Sequence, residues 1–167
     1  MDSRLAPLAD LFRLNTRLLI NCLDGLSEED ARGCPVPGVN SAAFVAAHLV
    51  DARHGLLGML GRPQENPLAP ALAGARGMSD VDALPRLGEL VSAWRSVGLA
   101  LDACLADLDA SVLDRPAPRN FPIDDRSMLG VVAFLAQHDS HHVGQVALLR
   151  RALGYPAMRY SAAPVPA

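Results

Sequence analysis

The chain has 167 residues, which suffice for one ordinary domain and are too few for two of typical size. Half of the residues are apolar, mainly Leu, Ala and Val, and only 4% are aromatic, a composition that suits packing of helix against helix. The formal charge of -3 gives no field that would attract a nucleic-acid backbone or an anionic lipid surface, so neither is expected as a partner.

The cysteines indicate a reducing compartment. There are three of them, far apart and without a Cys-x-x-Cys pair, so neither a disulfide framework nor a zinc knuckle is expected. The first residues lack the basic and apolar segments of a secretory signal, and no apolar run approaches the roughly 20 residues that span a bilayer. We therefore expect a cytoplasmic protein that does not bind membranes.

Two helices are predicted in the first part of the chain. Over residues 5–26, apolar side chains recur at steps of three and four, and Asn15 is the polar member of this stripe. Two prolines and two glycines within 33–38 interrupt the pattern. Asn40 and Ser41 are good N-cap residues for a second helix, which continues to Met59 and stops at the following glycine and proline.

A third helix is predicted after a connection over 62–77 that is rich in Pro, Gly and Ala. Ser79, with Asp82 three residues later, offers a cap for this helix. Its apolar stripe runs from Leu87 to Leu108 at clear helical spacing.

The fourth helix follows a proline-containing loop over 111–126. Ser127 can cap it, its inward stripe extends over 131–149, and Gly154 ends it. Four amphipathic helices with two long connections predict an all-α four-helix bundle over residues 1–154, with long crossover loops. The remaining tail, 155–167, is short and is expected to pack loosely or to cover a partner.

All five histidines fall in two short windows, one with His48 and His54 and the other with His138, His141 and His142. Residues four apart in a helix differ by about 40 degrees and about 6 Å of rise, so His138 and His142 project side by side and can bind one ion. His48 lies on the inward stripe of the second helix and can supply a third nitrogen from across the bundle. Three neutral imidazoles leave a coordination position open, which is typical of a catalytic or substrate-binding site.

A structural interpretation of these histidines stays open, because a pair spaced by four also arises by chance. The apolar residues around His48 and His138 favour the metal, since burying an imidazole is costly unless its nitrogens have partners. A shared ion would satisfy three rings at once, whereas without it each ring needs hydrogen bonds from the protein.

Two amides are candidates for positions beside the ligands or in the cavity. Gln145 lies nearly above His138 by helical spacing and can bind a metal-bound water or hold His142, or it can be an ordinary buried amide. Asn15 is the second candidate, because it is the polar residue on the inward stripe of the first helix.

Two further residues are candidates for catalysis. His141 lies about 60 degrees from the direction of His138 and can line the edge of the cavity, or it can be an exposed histidine. Asp51, one turn after His48, can orient a ligand or act as a base, and a surface position is equally open. His54 points away from His48, which favours a solvated or interface role.

The segment His138-Asp-Ser-His-His142-Val-Gly-Gln145, preceded by a lone histidine about ninety residues upstream, resembles the DinB superfamily, also described as DinB/YfiT-like. The resemblance spans nearly the whole chain, and its most specific part is His-x-x-x-His-x-Gly-Gln near the end of the last helix. Asn40-Ser41 is similar to the family's helix start. By position, the resemblance implies that His48, His138 and His142 are the metal ligands.

The resemblance also implies up-down-down-up helix order, a homodimer and one divalent ion, nickel or zinc, with manganese or iron as alternatives. It implies a metal-dependent transferase that joins a low-molecular-weight thiol, such as bacillithiol, mycothiol or glutathione, to a small electrophile. A metal-dependent hydrolase or isomerase on the same three histidines is an alternative, since a metal-bound hydroxide can attack an ester, amide or epoxide. A non-catalytic metal- or ligand-binding or stress-response bundle is another.

Overall fold

The computed structural model describes residues 2–75, 77–81 and 83–160. Within these ranges the chain is all-α, without a β-strand, which confirms the predicted fold class. The α-helices, in chain order, are α1 (Ala6–Leu23), α2 (Glu28–Arg32), α3 (Ala42–Met59), α4 (Ala69–Leu72), α5 (Leu87–Ala106), α6 (Ala110–Leu113) and α7 (Met128–Ala152). None of the helices in the described ranges is both long and apolar enough to cross a bilayer.

The four long helices, α1, α3, α5 and α7, form a bundle around one apolar core. Helix α1 packs against α5 and α7, and helix α3 packs against the same two, so α1 and α3 occupy opposite corners. The connections over 24–41 and 107–127 therefore run diagonally, whereas 60–86 joins neighbouring helices. This arrangement places α3 directly beside α7.

Two of the predicted helix starts are confirmed. The hydroxyl of Ser41 accepts a hydrogen bond from the N–H of Phe44 at 3.2 Å, which caps α3. The hydroxyl of Ser127 accepts one from the N–H of Gly130 and caps α7 in the same way. Both helices that carry the candidate ligands thus begin where their sequences predict.

The predicted start of the third helix at Ser79 is wrong. Ser79 lies in a short 3-10 turn, Met78–Asp80, and its proposed partner Asp82 lies outside the described residues. Helix α5 begins only at Leu87, because Pro85 cannot continue a helix and favours extended backbone before it. The carboxylate of Glu89 caps this helix by accepting a hydrogen bond from the N–H of Arg86 at 2.8 Å.

The first helix is also shorter than the stripe over 5–26 indicates. Helix α1 ends at Leu23, and Gly25 then adopts a φ of 72°, a backbone angle that residues other than glycine rarely adopt. Leu26 lies beyond the helix but is still buried in the core. The short helix α2, capped by Ser27, follows and was not predicted.

The first residues of the tail are held against the bundle. The hydroxyl of Tyr155 donates a hydrogen bond to the carboxylate of Asp30 on α2. The N–H of Arg159 donates to the side-chain oxygen of Asn21 on α1 at 2.7 Å. The tail therefore packs on the chain itself over 155–160, and residues 161–167 lie outside the described part.

Candidate metal centre

The neighbouring helices α3 and α7 bring three histidines to one point. Residues 42–50 of α3 are buried in the bundle except His48, which is half-buried and faces α7. His138 and His142 stand one turn apart on α7 and are also half-buried. The predicted meeting of these three side chains from distant parts of the chain therefore occurs in the structure.

The three rings form a compact triangle. Their centroids lie 5.1 Å apart for His48 and His138, 4.9 Å for His48 and His142, and 4.4 Å for His138 and His142. The Nε2 atoms of His48 and His138 are 3.1 Å apart. One nitrogen from each ring lies within 4.8 Å of the others, so the three side chains could hold one metal ion.

The distance between the Nε2 atoms of His48 and His138 suits a first-row divalent ion. Two nitrogens bound to one ion at about 2.0–2.1 Å are about 3.0 Å apart at right angles and about 3.4 Å apart in a tetrahedron. The 3.1 Å between the Nε2 atoms of His48 and His138 falls between these values. Nδ1 of His138, on the side of the ring opposite this contact, is buried without a hydrogen-bond partner among the described residues.

The site keeps the imidazoles neutral, as metal binding requires. Burial lowers the pKa of His138 to about 4, and the neighbouring rings of His142 and His48 add to the shift. Burial also lowers the pKa of His48 and of His142, opposed in part by Asp51 and by Gln145, respectively. At neutral pH the lone pairs are therefore available to a cation.

Gln145 contacts a candidate ligand, which is one of the roles predicted for it. Its Oε1 lies 2.6 Å from Nδ1 of His142, three residues earlier on α7. As an acceptor, this oxygen holds the proton on Nδ1 and leaves the Nε2 lone pair of His142 free for the cluster. Gln145 therefore selects the tautomer of His142 that can bind an ion through Nε2.

The structure places the candidate catalytic residues at the edge of the triangle. The exposed ring of His141 packs against His142 with centroids 5.1 Å apart. Asp51 is also exposed, and its carboxylate accepts a hydrogen bond from the amide of Asn66 at 2.8 Å. Both are near the histidines, but neither belongs to the group of atoms that could share an ion.

The side chains of Asn15 and His54 form hydrogen bonds with residues other than the three histidines. The buried amide of Asn15 donates to the hydroxyl of Ser140 and to the carbonyl of Ala136, and these bonds join α1 to α7. Nδ1 of His54 lies 2.9 Å from the carbonyl oxygen of Val50 on its own helix. Within the described residues, no hydrogen bond links either side chain to the three histidines, which agrees with the prediction that His54 points away.

Sequence reasoning missed a buried ion pair beside the candidate ligands. Nε and Nη2 of Arg53 on α3 each lie 2.8 Å from Oδ2 of Asp139 on α7. Asp139 directly follows His138 in the chain, and Arg53 lies five residues after His48. The single arginine of the largely apolar helix α3 is the signal that could have identified this pair.

The cation of this pair is surrounded by partners from α1 and α5. Nη1 of Arg53 donates to the hydroxyl of Thr16 at 2.7 Å, and Nη2 donates to the carbonyl of Phe12 at 3.0 Å. The guanidinium stacks 3.6 Å from the ring centroid of Trp94. Because the pair contacts all four long helices, it fixes the relative positions of α3 and α7 and hence of the three histidines.

A comparison with family models matches residues 11–146 to the DinB superfamily. The matched range includes the three clustered histidines and Gln145. A comparison with curated proteins finds no match.

Proposed function

We propose that this chain, which belongs to the DinB superfamily, binds one divalent metal ion through His48, His138 and His142 and transfers a low-molecular-weight thiol to a small electrophile. The observation that carries the proposal is the convergence of three neutral imidazoles whose ligand atoms lie within 4.8 Å of one another. Nickel or zinc suits three imidazole nitrogens, and manganese or iron are the alternatives.

A bound divalent cation with an open position would stabilise the thiolate form of a thiol at neutral pH. In the transfer, the thiol releases its proton to bulk water, the sulfur forms a bond to the electrophilic carbon, and the bond from that carbon to the leaving group breaks, so that the leaving group departs with the electron pair. The chain's own residues orient the three histidines. Gln145 fixes the ring of His142, and the buried pair of Arg53 and Asp139 fixes the helices that carry the histidines.

Two phenylalanine rings lie on one side of His138. Phe134, one turn earlier on α7, lies 6.2 Å from the His138 ring, and Phe121 packs 5.4 Å from Phe134. This aromatic wall lowers the local polarity, which strengthens the attraction between a cation and a thiolate.

The first experiment is elemental analysis of protein purified without a histidine tag. We expect about one equivalent of metal in the wild type, and a loss of most of it in His138→Ala. His54→Ala is the matched control, because His54 is a half-buried histidine on α3 that bonds to its own helix. Metal content that is at background in the wild type, or unchanged in His138→Ala, would overturn the proposal.

The second experiment measures thiol consumption by the metal-loaded protein with bacillithiol, mycothiol and glutathione against a panel of small electrophiles. We expect turnover with at least one thiol that depends on His138. Ester hydrolysis without thiol consumption would indicate the hydrolase instead. Tight metal binding without exchangeable water, seen by paramagnetic relaxation of a cobalt form, would indicate a binding protein. The homodimer stays a prediction, which sedimentation equilibrium tests.

A further inference from the structure

A cavity of about 360 Å³ lies between the second half of α7, the first turn of α3 and the loop that precedes α3. This volume is at the lower end of the range for sites that bind small molecules. The described residues that line it are Val36, Gly38, Val39, Asn40, Val45, Gln145, Leu148 and Leu149. We call it the α3–α7 cavity.

The described part of the wall of the α3–α7 cavity is largely apolar. None of the described residues that line it carries a formal charge, and its polar side chains are the amides of Asn40 and Gln145. Three of the six large apolar side chains that are exposed in the described chain belong to this wall, Val36, Val39 and Leu148. Leu148, on a helix, is 68% exposed. Apolar surface kept open to solvent around a concavity marks a binding site.

The α3–α7 cavity adjoins the histidine triangle through one side chain. Gln145 lines the cavity, and its Oε1 contacts Nδ1 of His142 at 2.6 Å. Val45 lines the cavity three residues before His48 on the same helix. A molecule in the cavity would thus lie within one helical turn of two candidate ligands.

We propose that the α3–α7 cavity binds the electrophilic substrate, and that this substrate is a small uncharged molecule with an apolar body and at most one or two hydrogen-bonding groups. The valines and leucines accept the apolar body, and the amide groups of Asn40 and Gln145 can bond its polar group. A thiol that carries carboxylates finds no cation among the described lining residues, so it reaches the histidines from the solvent side. This assignment rests on the proposed function.

The concave shape favours a small molecule over a second copy of the chain. A stable interface between proteins buries about 800 Å² on each partner, mostly across a flat surface. Here three of the exposed apolar side chains, Val36, Val39 and Leu148, line one cavity of small-molecule size. Association of two chains through Leu148 is therefore an outcome that the test must exclude.

The test measures binding of benzyl alcohol and of benzoate by NMR titration, in zinc-loaded and in metal-free protein. These probes have the same apolar ring and differ in charge. We expect benzyl alcohol to shift the ring signals of His142 and the methyl signals of Val39. In the metal-free protein, where the carboxylate of benzoate has no zinc ion to bind, benzyl alcohol should bind about tenfold or more tightly than benzoate. Equal affinity of the metal-free protein for the two probes, or shifts elsewhere only, would overturn the proposal.

Two variants locate the site. Leu148→Glu places a charge in the wall and should weaken binding of benzyl alcohol about tenfold or more, and Val39→Trp should fill the cavity and abolish it. Leu99→Glu is the matched control, since Leu99 is a helical leucine that is 74% exposed and lies outside the cavity. An unchanged affinity for benzyl alcohol in both cavity variants would contradict the assignment. It would also be contradicted if the wild type is a dimer that Leu148→Glu dissociates.

The outcomes separate this inference from the proposed function. Probe binding in protein that retains no metal would leave the cavity assigned and refute the metal proposal. Metal binding with thiol turnover, but without probe binding in the cavity, would refute the substrate site alone.

Discussion

Arg53 and Asp139 form an ion pair in the centre of the bundle, where their side chains are only 2% and 1% exposed. The pair links α3 to α7 one residue away from His138. Burial raises the pKa of Asp139 to about 6, although the charge of Arg53 opposes this shift. Because this pKa still lies below 7, the carboxylate is ionised at neutral pH. The pair thus carries two buried charges that satisfy each other.

Replacing Asp139 with Asn should destabilise the protein by about 3–5 kcal/mol, because it leaves the guanidinium of Arg53 buried without its counter-charge. Urea unfolding of metal-free protein measures this loss. The matched control is Asp102→Asn, which breaks a pair with Arg13 whose side chains are 42% and 46% exposed. That change should cost about 1 kcal/mol or less. Equal losses in the two variants would contradict the structural role of the buried pair.

Gly98 on α5 provides the room for Arg53. A Cβ at this position would lie 3.1 Å from Nη1 of Arg53 and 3.1 Å from the hydroxyl of Thr16. Gly98→Ala should therefore destabilise by about 1 kcal/mol or more, although alanine favours a helix. Gly58→Ala on α3, where nothing lies within 4 Å, should instead stabilise by about 0.5–1 kcal/mol. Thermal unfolding of both variants measures these changes in stability. A stabilising effect of Gly98→Ala would refute the close approach of Arg53 and Thr16 to Gly98.

The fold class and the pairing of His138 with His142 could be predicted because they depend on local periodicity, and the resemblance to the family implied His48 as the third member. The spacing of His138 and His142 on one helix is a geometric consequence of 3.6 residues per turn, and the N-caps Ser41 and Ser127 act on adjacent backbone. The predicted start of the third helix was wrong. Ser79 matches the local pattern of an N-cap, but the position of Pro85 decides where the helix begins.

The partners of the buried polar residues could not be predicted, because they come from distant parts of the chain. Asn15 lies on the inward stripe as expected, but its partner is Ser140 on the last helix. Arg53 and Asp139 are separated by 86 positions, and only the packing of α3 on α7 brings them together. Periodicity predicts which face of a helix is buried, not which side chain it meets.

The metal-free protein should lose stability as the pH falls from about 7 to about 4. The pKa of His138 is about 4 in the folded chain and about 6.5 when unfolded, so the unfolded state binds the proton first. His138→Leu removes this contribution and should show a smaller loss over the same range. Urea unfolding after treatment with chelator, at pH 7.5, 6 and 5, measures the difference. Because both proteins retain Asp139, the opposing effect of that carboxylate cancels, and identical pH profiles would refute the burial of a neutral His138.

Gln145→Leu should weaken metal binding by about 10–100-fold, because His142 loses the acceptor that keeps its proton on Nδ1. Gln145→Glu retains an acceptor, which is negatively charged and makes the ring more basic, so it should preserve the affinity or increase it. The matched control is Gln137→Leu, an exposed glutamine on the same helix. Competition with a zinc chelator at pH 7.5 gives the affinities. If Gln145 supports the tautomer of His142, the affinity for zinc should decrease from Gln145→Glu through the wild type to Gln145→Leu. If Gln145 only packs against the ring, the two substitutions should have similar effects.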